Sequence, residues 1–260
     1  MDERILVETT DHIAVITINR PKVLNALDVP TLLELETAFA RVERDDEARV
    51  IIITGAGDRA FVAGGDIADL NSRDGLAHYK EFAEIVHRVF RRIEICDKPT
   101  IAAVNGYALG GGTELILATD IRILGDNARL GLPEITLGLF PGAGGTQRLI
   151  RQVPPCRAKE MMFTGEQISA ADAIAIGFAN RVVPRQDVLS EARSLAARIA
   201  SKSPLVLRLL KRTLINGADM PLSAALPYEH SMISLVLDTS DAHEGCTAFL
   251  EKRAPMFAGR

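Results

Sequence analysis

Cysteine is scarce in this 260-residue chain. The three thiols, Cys96, Cys156 and Cys246, are odd in number, widely spaced and without a CxxC pair, so they read as buried free thiols of a reducing compartment, not as disulfide staples. No stretch approaches the roughly 18 consecutive apolar residues of a membrane span. The N-terminus, MDERILVETT, is acidic and lacks the apolar core of a signal peptide, so the expected location is cytoplasmic, away from membranes. Neither sign of charge dominates: 30 Lys and Arg against 34 Asp and Glu leave a net charge of −4, which excludes a nucleic-acid footprint but not a local basic pocket. Fixed-period repeats and low-complexity linkers are also missing. What is present is 47% hydrophobic content, enough for a sizeable core, and this rules out disordered, collagen-like and mini-protein readings.

Several catalytic signatures are absent too. There is no GxSxG elbow, and the five histidines (12, 78, 87, 230 and 243) form no HExxH, so neither a Ser-His hydrolase nor a zinc or other metal site is supported. Gly106 to Thr113, GYALGGGT, has the spacing of a phosphate loop without its lysine, leaving the phosphates no charge partner. Gly55-x-Gly57-x-x-Ala60 formally matches a dinucleotide fingerprint, but FVA and another glycine pair follow it instead of a helix, so a surface turn is expected.

Residues 4 to 19 show β-branched residues interrupted at Thr9 to His12, which predicts a hairpin. Asp28 can cap a helix carrying Pro30 in its first turn and Leu32, Leu35, Phe39 and Val42 on one face. RVIIIT (49–54) predicts a buried strand, and Tyr79, Phe82, Val86, Val89, Phe90 and Ile93 follow helical spacing up to Lys98-Pro99. The strand TIAAV, the turn NGYALGGG, the helical TELILATD and the β-like IRIL come next. Strand, glycine loop and helix recur, which favours a layered α/β or α+β spiral. Beyond about residue 186 every segment is helical in pattern, and LSAAL and MISLVL carry apolar residues on more than one face, as expected of a surface buried by another subunit.

Two glycine clusters follow predicted strands, FVAGGD (61–66) and ALGGGTEL (108–115), and the second feeds a helix whose first N–H groups lack partners. Such groups can be tight turns or can bind an oxyanion, where one preorganised donor is worth roughly 3 to 4 kcal/mol. Glu114, in the first turn of that helix, and Glu134, after Pro133, are ordinary surface carboxylates when considered singly. Their occurrence together with two oxyanion-capable loops suggests a site.

At NRPKVLNAL, FVAGGDI, KPTIAAVNGYALGGGTEL, LGLPEITLGLFPGAGGTQRL, TGEQISAADAIAIGFANRVV and DAHEGCTAFLEKR, in this order, the chain resembles the crotonase (enoyl-CoA hydratase/isomerase) superfamily. The resemblance covers essentially the whole chain. It implies a spiral of ββα units over residues 1–200 and a helical trimerisation region over 201–260, with homotrimers often pairing into hexamers. It also implies an oxyanion hole formed by the N–H groups of Gly65 and Gly111; the first position is commonly alanine in hydratases. By the same resemblance Glu114 activates water, Glu134 delivers a proton to C2, and Gly142 helps hold the water. Coenzyme A, a part of the substrate and not a cofactor, is expected along Lys22, Val23, Leu24 and Ala63, with its adenine near Ala63 and Ile67. Phe249 and Lys252 resemble residues that reach a neighbouring subunit's CoA site.

Hydratases of this superfamily carry both glutamates, whereas the double-bond isomerases usually keep only the second. The activity so implied is reversible hydration of a 2-trans-enoyl-CoA to a (3S)-3-hydroxyacyl-CoA in fatty-acid or related acyl-CoA degradation. Alternatives are a relative specialised for another CoA thioester (branched, aromatic-pathway or carnitinyl), an enoyl-CoA isomerase, or a non-catalytic CoA-thioester binding subunit.

Overall fold

The computed structural model describes residues 3–260. β1 (Ile5–Thr10) and β2 (Ile13–Ile18) form the expected antiparallel hairpin, turning at Asp11 and His12, both at positive φ. The helix α1 (Val29–Arg44) follows, with the Asp28 side chain accepting from Thr31 N at 2.9 Å and with Leu32, Leu35, Phe39 and Val42 buried as the sequence predicts.

Three strand pairs then build two sheets side by side. Each pair begins with a strand of the larger sheet, β3 (Val50–Gly55), β5 (Thr100–Val104) or β7 (Ile121–Gly125). A short strand of the smaller sheet follows each of them: β4 (Ala60–Val62), β6 (Tyr107–Leu109) or β8 (Arg129–Gly131). Helices then return the chain. After β4 these are α2 (Ile67–Asn71), α3 (Gly75–His78) and α4 (Glu84–Ile95); after β6, α5 (Gly111–Leu117); after β8, α6 (Gly145–Gln152) and α7 (Pro155–Thr164). β9 (Ile168–Ser169), α8 (Ala170–Ala175) and β10 (Arg181–Val183) complete the sheets in the orders β1-β2-β3-β5-β7-β10 and β4-β6-β8-β9. This is the spiral of ββα units that the resemblance implies. The Gly55 to Ala60 segment is a turn between β3 and β4, so no helix opens on it and no dinucleotide fold is present there.

The larger sheet is covered on both faces, which explains the unbroken apolar run of β3. Ile51 and Ile53 face the main core with Ile16, Ile18, Phe39, Phe61 and Phe90, whereas Val50 and Ile52 face a second core with Ile13, Val15, Ile101 and Ile123. That second core is closed by Val188, Ala192, Leu195 and Ala196 of α9 (Val188–Ala200). The helical stretch beyond residue 186 therefore begins with a helix that belongs to the sheet's packing. α10 (Pro204–Ala218), α11 (Leu222–Leu237) and α12 (Ser240–Leu250) follow. α10 is anchored by Lys211, whose Nζ lies 2.6 Å from Asp120 and 3.0 Å from Lys98 O. These last helices leave Leu214, Leu222, Leu226, Ile233 and Leu237 exposed, and α11 buries no residue at all. Among the described residues no helix is long and apolar enough to cross a membrane. Of the thiols expected to be buried, Cys96 is, whereas Cys156 and Cys246 lie on the exposed sides of α7 and α12.

The helix predicted from Tyr79 onward is interrupted. Residues Tyr79–Ala83 form a π-helical turn between α3 and α4, and Tyr79 is exposed while the buried stripe begins at Val86. The wider turn shifts the helical phase, so residues on one face in an ideal helix no longer share it.

Candidate active site

The site forms where β4, β6 and β8 end. Beyond β4 the chain runs beside Leu27: Leu27 N donates to Gly64 O and Asp66 N donates to Leu27 O, each at 2.8 Å. The intervening N–H of Gly65 has no acceptor among the described residues. Asp66 then caps α2, its Oδ1 accepting from Ala68 N at 3.2 Å, which ends the extended strap sharply.

Beyond β6 the chain turns at Gly110 (φ 49°) into α5, and the N–H of Gly111 at the helix start is likewise unpaired. The two loops touch, because a Cβ placed on Gly111 would sit 3.5 Å from Gly65 N. One residue on, a Cβ on Gly112 would lie 2.0 Å from Val62 O, so only glycine lets α5 seat directly on β4. Two free N–H groups thus border one niche, a geometry suited to negative charge on a carbonyl oxygen.

Glu114 lies one turn into α5 and is only 3% exposed. Its Oε1 accepts from Ala143 N at 2.7 Å and Gly145 N at 2.8 Å, in the turn PGAGG that opens α6. Burial pushes this carboxyl above its ordinary range, while the N–H groups of Gly145 and Ala143 and the charge of Arg148 pull it back.

Glu134 comes from the 3₁₀ turn Pro133–Leu137 after β8 and reaches under Gly110, whose added Cβ would meet its Oε1 at 2.9 Å. Its Oε2 is buried and has no partner among the described residues. Burial and then the charge of Glu114 push Glu134 up to about 7. Near neutral pH one carboxyl is therefore anchored by two donors and the other is poised to carry a proton.

This arrangement has a stability cost of known sign. The folded-state value of Glu134 lies above that of an unfolded chain, so the folded protein is favoured at low pH and that advantage is lost as pH rises through about 7. Glu134→Gln removes the titration. Allowing for the solvent that still reaches this half-buried group, the variant should be more stable than the parent at pH 8 by about 1–2 kcal/mol. Melting curves should show the gain as a few degrees at pH 8 and a smaller difference at pH 5.

Gly142 sits exposed in the same PGAGG turn. Ala143 and Gly145, which hold Glu114, are absent from the sequence-based site; their contribution is through backbone N–H, and only the glycine-rich start of α6 hints at it. Lys22 and Val23 are exposed in a 3₁₀ turn, Leu24 follows at positive φ, and Leu24 O accepts from Ala63 N at 3.0 Å. Ile67, 55% exposed at the start of α2, continues this rim beyond the strap. Phe249 lies at the far end of α12, which packs on α11, and Lys252 lies in the turn just beyond it; Phe249 is 83% exposed.

Two unpaired backbone N–H groups beside a carboxyl pair are an arrangement suited to stabilising an enolate-like oxygen during acid–base chemistry. Comparison with known proteins gives the lineage. Residues 8–260 match the family described as enoyl-CoA hydratase/isomerase, and the chain belongs to it. It is 44% identical over 258 residues to a crotonyl-CoA hydratase of Syntrophomonas wolfei, covering 99% of each chain. It is 41% identical to the 2,3-dehydroadipyl-CoA hydratase of Escherichia coli, covering 98% of this chain and 99% of that one. Among solved structures, the enoyl-CoA hydratase of Bacillus anthracis superposes with a TM-score of 0.95 at 40% identity, covering 99% of this chain and 100% of the other.

Proposed function

We propose that the protein is an enoyl-CoA hydratase that adds water syn across a 2-trans-enoyl-CoA, reversibly giving the (3S)-3-hydroxyacyl-CoA. The observation that carries this reading is the inequality of the two glutamates. Glu114, fixed by two N–H donors, is suited to take the proton of water attacking C3; Glu134, up to about 7 and with an unpartnered Oε2, is suited to give a proton to C2. Gly65 and Gly111 supply the N–H groups for the thioester oxygen, and Gly142, exposed in the PGAGG turn, helps hold the water. The rim from Lys22 to Leu24, with Val23, Ala63 and Ile67, takes the CoA portion.

The match to both a crotonyl-CoA and a dehydroadipyl-CoA hydratase at similar identity supports the hydro-lyase class over any single acyl group. The test is a substrate panel. Loss of the enoyl-thioester absorbance with crotonyl-CoA, and formation of the 3S product, are expected; tight binding of CoA thioesters without hydration of any panel member would favour a specialised or silent relative. The isomerase alternative is separated by the glutamate variants discussed below.

We further propose that α10 to α12 form a trimerisation region, with the spiral over 1–200 and the helices over 201–260, and that Phe249 and Lys252 reach a neighbouring subunit's CoA site. Large apolar side chains exposed along these helices support it. Light scattering at micromolar concentration should give the mass of a homotrimer or of a hexamer built as a dimer of trimers; a monomer overturns this reading.

A further inference from the structure

Arg148 lies in the first turn of α6 directly behind the segment that holds Glu114, and its contacts go well beyond those of an ordinary helix residue. Its Nε and Nη2 donate to the two oxygens of Glu94 on α4 at 3.0 and 2.9 Å, a bidentate pair in which the side chains are 12% and 25% exposed. Its Nη1 donates to Ala143 O at 3.2 Å. Ala143 is thereby gripped from both sides, its carbonyl by Arg148 and its N–H by Glu114 Oε1. Gly144 crosses the guanidinium at φ 105°, where a Cβ would come within 2.0 Å of Nη1, so the turn lies flat on the arginine.

We propose that Arg148 is a positioning residue for the glutamate pair: clamped by Glu94, it fixes the 143–145 turn against Glu114 and supplies the positive charge that makes this carboxylate, and not Glu134, the proton acceptor. The assignment rests on Glu114 being the base in the proposed reaction. Around Glu114 the charged groups are few. α6 contributes Arg148, the 3₁₀ turn after β8 contributes Glu134, and Glu94 acts through Arg148. Of the other elements against α5, β4 has no titratable side chain, β6 has only the exposed Tyr107, and β7 contributes the buried Arg122, which donates to the carbonyls of Ile116 and Leu117 at the C-terminal end of the helix. The charge of Arg148 acts on Glu114, whereas burial and the Glu114 charge act on Glu134 with no compensating cation among the described residues. In a low-dielectric site that asymmetry is felt strongly.

Arg91 also donates to Glu94, at 2.8 Å, which keeps Glu94 ionised and the clamp engaged. Burial pushes the Glu94 carboxyl up, but the hydrogen bonds from Arg148 and Arg91 outweigh it and hold the group below its usual range.

The test compares Arg148→Gln, Arg148→Lys and Glu114→Gln with the parent across pH 5 to 9, with crotonyl-CoA as the probe. Arg148→Gln should lose about tenfold to a hundredfold in kcat through misplacement of the base, with KM within about twofold because the CoA rim is untouched. The acid limb of its kcat/KM profile should move to higher pH, since Glu114 then ionises less readily. Arg148→Lys keeps the charge but cannot hold both Glu94 oxygens and Ala143 O, so its acid limb should stay near the parent's while kcat recovers only in part. A folded Arg148→Gln with the parent's pH profile overturns the proposal whatever its kcat, because a structural role alone would leave the profile in place. If Arg148→Gln does not fold, Arg148→Lys decides, and a parent-like kcat there overturns the clamp. Glu114→Gln separates the two levels: if it hydrates at the parent rate the reaction assignment fails, and if it is inert while Arg148→Gln keeps the parent profile, only the role of Arg148 fails.

Discussion

Glu114→Gln and Glu134→Gln should each lower crotonyl-CoA hydration by about 10² or more, the usual contribution of a positioned acid or base. Both losses are expected together, because adding water needs a group to accept the water proton and another to protonate carbon. Gln nearly preserves volume. In Glu114→Gln the amide oxygen can still accept from Ala143 N and Gly145 N, so the turn that opens α6 should survive. In Glu134→Gln the lost group is one that the fold holds at a cost, and the variant should be inactive yet no less stable. An isomerase working through Glu134 alone would tolerate Glu114→Gln and convert a 3-enoyl-CoA to its 2-enoyl isomer at nearly unchanged turnover. Folded Glu114→Gln that hydrates an enoyl-CoA panel at the parent rate would sink the hydratase assignment. The parent's profile carries a related signature: in the proposed reaction Glu134 must be protonated, so kcat/KM should fall as pH rises through about 7.

Gly111→Pro should reduce turnover by at least ~10², the effect of losing one oxyanion donor. The substitution deletes the N–H outright. The fold should tolerate it: Gly111 is the first residue of α5, where proline suits a helix, and a Cβ there meets Gly65 N, Gly64 C and Leu27 Cδ1 at 3.5, 3.7 and 3.9 Å, ordinary contact distances. The measurement pairs kcat with CoA affinity and a melting curve. Near-parent turnover in a folded variant would remove Gly111 from the hole, whereas a loss of CoA affinity equal to the loss of turnover would mean that the whole loop had moved.

Much of this fold is legible in the sequence because the relevant signals are local. Asp28, Pro30 and the apolar stripe of α1 declare a capped amphipathic helix, and the VIII run of β3 declares a strand buried on both faces. What was not legible depends on packing. β4, β6 and β8 are three residues each, too short to show alternation, and they disappear into glycine-rich turns. The π turn at Tyr79–Ala83 displaces Tyr79 from a stripe that its spacing alone assigns it to. By its residue pattern α9 reads as one more helix of the tail, whereas its packing against Ile52 and Ile123 ties it to the sheet. At the site, Glu114, Glu134, Gly65 and Gly111 are recognisable from their motifs. The donors from Ala143 and Gly145 are not, because they are main-chain groups whose relevance arises when α6 folds back onto α5.

The smaller sheet has a consequence for how such a site can change. β4, β6 and β8 lie side by side and parallel, and the chain leaving each of them carries its own part of the proposed machinery: Gly65 after β4, Gly111 and Glu114 after β6, Glu134 after β8. The proposed centre is thus modular, with successive turns of the spiral delivering their groups to a shared seam. A lengthened or shortened loop after β4 would retune Gly65 while the groups delivered after β6 and β8 stay in register, so new acyl substrates can be accommodated by editing one module at a time.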